Sequence, residues 1–131
     1  MYKILIYVIL VFSNASNCST PKKNKEIKFG EGGGFTEAII EYQIKANGDI
    51  FINKSLEKEY RKIKTLSKSE MKQIQNKLLK LSSETFQFNH PFNIYYFIET
   101  DKGKIIWGDP EFPEPTEIKD LYDYLQKIIN K

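Results

Sequence analysis

The sequence has very few of the residues from which most catalytic and metal sites are built. It contains one cysteine and one histidine in 131 residues, which excludes an internal disulfide framework and any site with several Cys or His ligands. The net charge is only +3, and no basic patch of the kind that nucleic acids require is concentrated anywhere. Five Pro and seven Gly are too few for a disordered or fibrous chain. We therefore predict no metal, no cofactor and no nucleic-acid partner.

The sequence also lacks an apolar run long enough to cross a bilayer. Its longest run, residues 4–12, has nine residues, whereas a membrane-spanning helix needs about 20. A basic Lys3 precedes the run, and a short apolar segment behind a basic start is typical of a secretory signal peptide. We predict a signal peptide at residues 1–17, with a buried N-terminal strand as the alternative.

Two cleavage sites compete after this run. The small residues of segment 13–15 suit an ordinary signal peptidase, which would release a soluble secreted protein. Residues 15–18, Ala-Ser-Asn-Cys, resemble a bacterial lipobox, in the looser form of some Bacteroidetes lipoproteins. We favour lipidation because a free exported thiol would oxidise or pair between molecules. The resemblance implies that acylated Cys18 anchors the protein to a membrane of the cell envelope.

The segment that follows Cys18 separates the predicted anchor from the folded domain. Residues 18–25 carry three lysines, one proline and no large apolar side chain. Such a segment has nothing to bury, so we predict a flexible tether there. Residues 26–131 are then the single folded domain.

The first half of this domain predicts a β-hairpin. Residues 38–44 alternate apolar and polar side chains, as a half-buried strand does. Asn47 and Gly48 follow and are the strongest short hairpin signal, because both residues tolerate positive φ. The apolar segment 50–52 is the partner strand, and 27–29 is a candidate additional strand.

Two amphipathic helices are predicted from apolar residues at helical spacing. The first covers 68–82 and begins with a capping box, in which Ser67 and Glu70 satisfy each other's backbone N–H groups. The second follows a proline-rich loop, begins at a Thr116 cap and carries an apolar stripe over 118–129.

A second hairpin completes the predicted fold. The aromatic and β-branched residues 94–98 predict one strand, and 104–107 predict its partner. Segment 56–65 is charge-rich and stays ambiguous. The prediction is an α+β fold with an antiparallel sheet of about four to five strands, two helices and the order β-β-α-β-β-α.

The glycine-rich segment before the first hairpin is the least usual part of the sequence. Glycine costs roughly 0.5–1 kcal/mol relative to Ala in regular structure, so three in a row need a reason. A tight turn or bulge is one interpretation, and a partner-binding loop is the other. The sequence has no P-loop ending here, which argues against nucleotide binding. The candidate partner-binding residues are Gly32, Gly33, Gly34, Phe35 and Thr36, with Phe35 as the anchor.

His90 and the acidic loop 109–117 are the remaining candidates for chemistry. His90 with one of these acids could act as a general acid–base pair, but a structured loop histidine is the simpler interpretation. The acids of the loop, together with Asp101, could hold a hard cation, although prolines interrupt the spacing typical of calcium loops. We therefore predict no catalytic residue and no metal ligand.

Residues 26–131 resemble the emfourin family, small inhibitors of thermolysin-like metallopeptidases. The resemblance is carried by Gly-Gly-Phe-Thr at 33–36 leading into a strand, by the aromatic strand at 91–98, and by a C-terminal helix behind the proline loop 109–115. It implies that the partner is a peptidase. We predict a non-catalytic exported lipoprotein with a small protein-binding domain. The alternatives are a structural envelope component without a discrete site and a small hydrolase-like enzyme that uses His90.

Overall fold

The structure, a computed structural model, describes residues 26–55 and 57–131. The predicted signal peptide 1–17, the predicted acylation site Cys18 and the predicted tether 18–25 lie outside these described residues. The elements in chain order are β1 (Glu26–Gly33), β2 (Ala38–Lys45), β3 (Asp49–Lys54), β4 (Arg61–Thr65), α1 (Lys68–Leu78), a 3-10 turn (Thr85–Gln87), β5 (Ile94–Thr100), β6 (Gly103–Trp107) and α2 (Thr116–Ile129).

The six strands form one antiparallel sheet in the order β4-β3-β2-β1-β5-β6. The predicted α+β class, with an antiparallel sheet and two helices, is confirmed. The predicted strand count of four to five and the order β-β-α-β-β-α are wrong, because β1 is a full strand and β4 forms at Arg61–Thr65 within the ambiguous segment. That strand lies at the sheet edge with mostly exposed side chains, so it shows no apolar alternation, and its charges suit an uncovered edge.

The core lies between the two helices and one face of the sheet. Side chains alternate between the two faces of a strand, and one set supplies the core: Ile27, Phe29, Ile44, Ile50, Ile98, Ile105 and Trp107. The predicted apolar stripe of α2 packs against them. Tyr122 from this stripe donates a hydrogen bond from its hydroxyl to the Gly30 carbonyl at 3.2 Å. Burial raises the pKa of Tyr122 well above its ordinary value.

The two helices start and end close to their predicted bounds. The capping box is confirmed, since the Glu70 N–H donates to Ser67 Oγ at 3.1 Å and the Ser67 N–H donates to Glu70 Oε2 at 2.9 Å. Helix α1 ends at Leu78, four residues early. The predicted Thr116 cap is wrong: Thr116 is the first helical residue behind Pro115, which makes no side-chain cap bond. Neither helix is long and apolar enough to cross a membrane.

The predicted β2–β3 hairpin is present, and one of its two signal residues has a positive φ. Only Gly48 has a positive φ, at 91°, and Asn47 does not. The Gly48 N–H donates to the Lys45 carbonyl at 2.9 Å, and the Asp49 N–H donates to Asn47 Oδ1 at 3.0 Å. This is the pattern of a three-residue loop that ends in a left-handed glycine.

The face of the sheet away from the helices carries paired charges at the end where β1 begins. Lys45 Nζ lies 2.9 Å from Glu26 Oε2, and Lys28 Nζ lies 3.9 Å from Glu41 Oε1. Glu26 also accepts a hydrogen bond from Gln43. The opposite end of the sheet is different, and the candidate site lies there.

Candidate protein-binding surface

The turn that joins β1 and β2 presents a phenylalanine to solvent. Residues 34–37 form this turn, and the Glu37 N–H donates to the Gly34 carbonyl at 3.2 Å. The Phe35 side chain is fully exposed. Glu37 is the one non-glycine residue with a positive φ, at 50°, among those described. The chain therefore adopts an uncommon backbone conformation beside an uncovered aromatic ring.

The glycines before Phe35 have separate structural reasons. Gly33 has φ 96°, and a Cβ there would collide with the Asn93 carbonyl. Gly34 has φ 80° and open space around it, and its N–H donates to the Asn93 carbonyl at 2.7 Å. Gly33 is therefore required for close approach to the segment before β5, whereas Gly34 is required only for its backbone angle.

Gly32 lies in β1 rather than at the turn. A Cβ on Gly32 would lie 2.6 Å from the Tyr95 hydroxyl, so the tyrosine ring covers this glycine. The five predicted contact residues therefore separate into two groups. Gly32 and Gly33 shape the strand, and the turn exposes Gly34, Phe35 and Thr36.

Further apolar side chains surround the turn. Phe35 and Ile94 line a shallow cleft together with Gly34 and Asn93. Four large apolar side chains at this end of the sheet are exposed, and we call them the tip surface: Phe35, Ile39, Phe92 and Ile94. Sequence reasoning missed the last three. Ile94 is the first residue of the aromatic strand β5, and its exposure follows from lying at the end of β5, beside the turn.

The aromatic residues of segments 94–98 and 104–112 divide between core and surface. Phe97 and Trp107 are buried, at 2% and 4% exposure, and Phe112 is exposed at 47%. Tyr95 and Tyr96 are half-buried. Of this group, Phe112 alone is largely exposed.

His90 packs between two aromatic rings. Its ring stacks on Phe112 with centroids 4.3 Å apart and meets Phe88 edge-on at 4.7 Å. Its carbonyl accepts the Asp109 N–H at 3.1 Å, and its own N–H donates to the Ile106 carbonyl at 2.9 Å. Among the described residues no hydrogen bond joins its ring to a carboxylate or hydroxyl. The geometry is that of a packing histidine in a structured loop.

The acidic loop is not brought together with Asp101. Asp109 follows β6, and its Oδ1 accepts the Glu111 N–H at 2.9 Å, an ordinary Asx turn. Asp101 lies in the turn between β5 and β6, at the other end of the same strand. In the ranges that the structure describes, no group of three or more His, Cys, Asp or Glu residues is arranged to hold a metal ion.

Two comparisons with known proteins found no match. No protein-family model matches the chain, and no curated protein matches its sequence. The resemblances to the emfourins and to lipoprotein signals stay predictions, so what the chain does is inferred from its own surface.

Proposed function

We propose that this chain is a non-catalytic exported lipoprotein whose domain binds a protein partner through the tip surface. The observation that carries the proposal is the full exposure of Phe35 on a turn whose backbone is held in place. A large exposed aromatic side chain with apolar neighbours is typical of an interaction site. A turn fixed by hydrogen bonds loses little further freedom on binding, which favours affinity.

The exposed ring at the tip indicates the kind of partner. The Phe35 side chain is fully exposed on its turn, so a partner that buries this ring needs an apolar pocket. A peptidase substrate cleft is such a pocket, and the resemblance to the emfourins supports this class of partner. Interfaces of this kind depend on a few buried aromatic anchors, and Phe35 is the anchor proposed here.

The direct test is inhibition of thermolysin by the full chain in a nonionic detergent. If the partner is a thermolysin-like peptidase, wild type inhibits and Phe35→Ala raises the inhibition constant by roughly 30-fold, since anchor residues contribute about 2 kcal/mol or more. Leu79→Ala is the matched control, because Leu79 is also a large exposed apolar residue (72%) but belongs to the end of α1. If a micromolar excess of the wild-type chain does not inhibit thermolysin, a thermolysin-like peptidase is not the partner. If Phe35→Ala and Leu79→Ala weaken inhibition equally, the tip surface is not the contact.

The proposed lipid anchor is compatible with a tip surface that is free to bind a partner. The predicted tether joins Cys18 to the start of β1, and the tip lies at the other end of that strand. With eight residues in β1 at about 3.3 Å each, the two ends are roughly 23 Å apart. The tip surface therefore lies at the end of β1 opposite to the attachment of the predicted tether, and the flexible tether leaves it free to meet a partner.

Cys18→Ala tests the anchor separately. We expect the wild-type protein in the membrane fraction and the variant in the soluble exported fraction, because acyl chains contribute roughly 0.8 kcal/mol per buried methylene. Mass spectrometry of the mature N-terminus is the second measurement. A mature chain that begins at Ser16, or a Cys18→Ala variant that stays in the membrane fraction, would contradict lipidation.

A further inference from the structure

Three segments of the chain that contribute to the tip surface or lie near it contain no basic residue, and the basic residue paired beside them is Lys54 of β3, opposite Ile40. None of the 20 Lys and Arg lies in segments 29–44, 88–98 or 105–118. The first of these segments holds three acidic residues and the third holds four. Such a one-sided charge distribution stands out in a chain whose total charge is close to neutral.

The fold brings parts of these segments to one end of the sheet. Gly33 at the end of β1 pairs with Ile94 at the start of β5. A Cβ on Gly108, just after β6, would collide with the Ile94 carbonyl. Phe112 of the proline loop stacks on His90, four residues before Ile94. Of the eight large apolar side chains exposed in the described part of the chain, five lie in these segments: Phe35, Ile39, Phe92, Ile94 and Phe112.

The acidic residues beside this surface have no cationic partner. Glu31, Glu37 and Glu111 are exposed, and within residues 26–55 and 57–131 none of them forms an ion pair. The carboxylates nearer the start of β1 are different, since Glu26 and Glu41 both face lysines. The negative charge beside the tip surface is therefore available to a partner.

We propose that the tip surface binds a basic protein segment, one that carries Lys or Arg side chains on either side of a large apolar side chain. This inference rests on the proposed function and adds the charge of the partner to it. Unpaired carboxylates next to exposed apolar groups attract a cationic surface and repel an acidic one. The same charge disfavours contact with anionic lipid, which attracts basic and not acidic surfaces.

A labelled peptide of Lys and Leu residues is the probe, and a matched peptide with Glu in place of every Lys is its control. Fluorescence anisotropy measures binding to the full chain in a nonionic detergent, against detergent alone. We expect the Lys peptide to bind at least roughly tenfold more tightly than the Glu peptide, because like charges across an interface repel. Raising the salt from about 50 to about 300 mM should weaken the binding, because it shortens the screening length.

Two charge-reversal variants locate the contact. Glu111→Lys with Glu114→Lys should weaken binding of the Lys peptide by roughly tenfold. Glu84→Lys with Asp101→Lys changes the total charge equally at exposed positions near the β5–β6 turn, at the opposite end of the sheet, and should leave binding within about twofold. Circular dichroism checks that both variants fold.

The outcomes separate this inference from the proposed function. If Phe35→Ala weakens binding but the Glu111 and Glu114 variant does not, the tip surface stands and the basic partner is wrong. If both charge-reversal variants weaken binding equally, the attraction is general and the inference fails. If neither peptide binds, the inference also fails, while thermolysin inhibition still tests the tip surface. Sedimentation of the chain alone is the last control: self-association abolished by the Glu111 and Glu114 variant would make a second copy the occupant and overturn the proposal.

Discussion

The two turns at opposite ends of β2 both reverse the chain, but they differ in what the rest of the fold packs against them. The turn 46–48 is covered at Gly48: this residue is buried, its carbonyl accepts the Leu66 N–H at 2.8 Å, and the Asn47 side chain accepts the Asp49 backbone N–H. The turn 34–37 has its phenylalanine in solvent and nothing packed around Gly34. Both reverse the chain, but only the second leaves a large apolar side chain uncovered.

This difference separates a turn that stabilises the fold from a turn that presents a side chain. A residue in the covered turn contacts other elements, so a substitution there changes the free energy of unfolding. A residue at the exposed tip contacts little in the folded chain, so its substitution should change binding and leave stability nearly unchanged. The difference can be tested at both turns with matched substitutions.

The largest expected effect is on stability, at the two glycines. Gly48→Ala forces a Cβ residue to φ 91° and places that Cβ 3.1 Å from the Leu66 carbonyl oxygen. We expect a loss of about 2 kcal/mol in the free energy of unfolding. Gly34→Ala meets the same backbone strain in open space and should cost about 1 kcal/mol. Urea denaturation measures both, and equal losses would show that packing does not distinguish the turns.

Lowering the pH should have a smaller effect on stability, through the Asp49 carboxylate beside the covered turn. The Thr65 hydroxyl and the Lys62 ammonium group both donate hydrogen bonds to the Asp49 carboxylate. These bonds, the one from Thr65 most strongly, lower the pKa of Asp49 below its usual 3.8. Because the folded-state pKa is lowered, this stabilisation is present above about pH 4 and is lost as the pH falls through the lowered value.

The measurement compares wild type with Asp49→Asn, which lacks the carboxylate at every pH. The difference in melting temperature between the two proteins should be larger at pH 7 than at pH 2. An NMR titration of the Asp49 side chain should show its pKa below the usual value. A difference in melting temperature that does not change with pH would show that the carboxylate does not stabilise the covered turn.

The smallest effect is expected from Phe35→Ala on stability. Its side chain is fully exposed, so the variant should unfold within about 0.5 kcal/mol of wild type. Ile98→Ala, at a fully buried position in β5, is the comparison and should cost about 2–5 kcal/mol. A large loss of stability in Phe35→Ala would mean that the ring packs on the fold, and the tip surface would lose its proposed role.

Much of the fold could be predicted because local patterns and tertiary packing agree there. The capping box at Ser67 and the apolar stripe of α2 are local signals, and both are present in the structure. Strand β4 could not be predicted, since an edge strand with exposed, charged side chains lacks the alternation that burial imposes. Thr116 was wrongly taken as a cap because a preceding proline can begin a helix without any side-chain bond.

The candidate site could be predicted only in part, for a related reason. Three glycines before Phe35 marked an unusual backbone, but a glycine pattern does not separate Gly33, which lies against Asn93, from Gly34, which lies in open space. Ile94 and Phe92 are residue types that are usually buried in a core. Their exposure depends on where β5 begins relative to the turn, which no local pattern contains.

The sequence by itself determined the α+β class, both helices, the hairpins and the unusual character of the segment around Phe35, because period and turn chemistry are local properties. Only the tertiary structure decided which apolar residues stay uncovered and which acids lack a partner. Strand pairing determines this exposure and charge pairing, because it brings segments from three parts of the chain to one end of the sheet. Burial and charge pairing depend on contacts between distant residues, so they emerge only when the chain is folded.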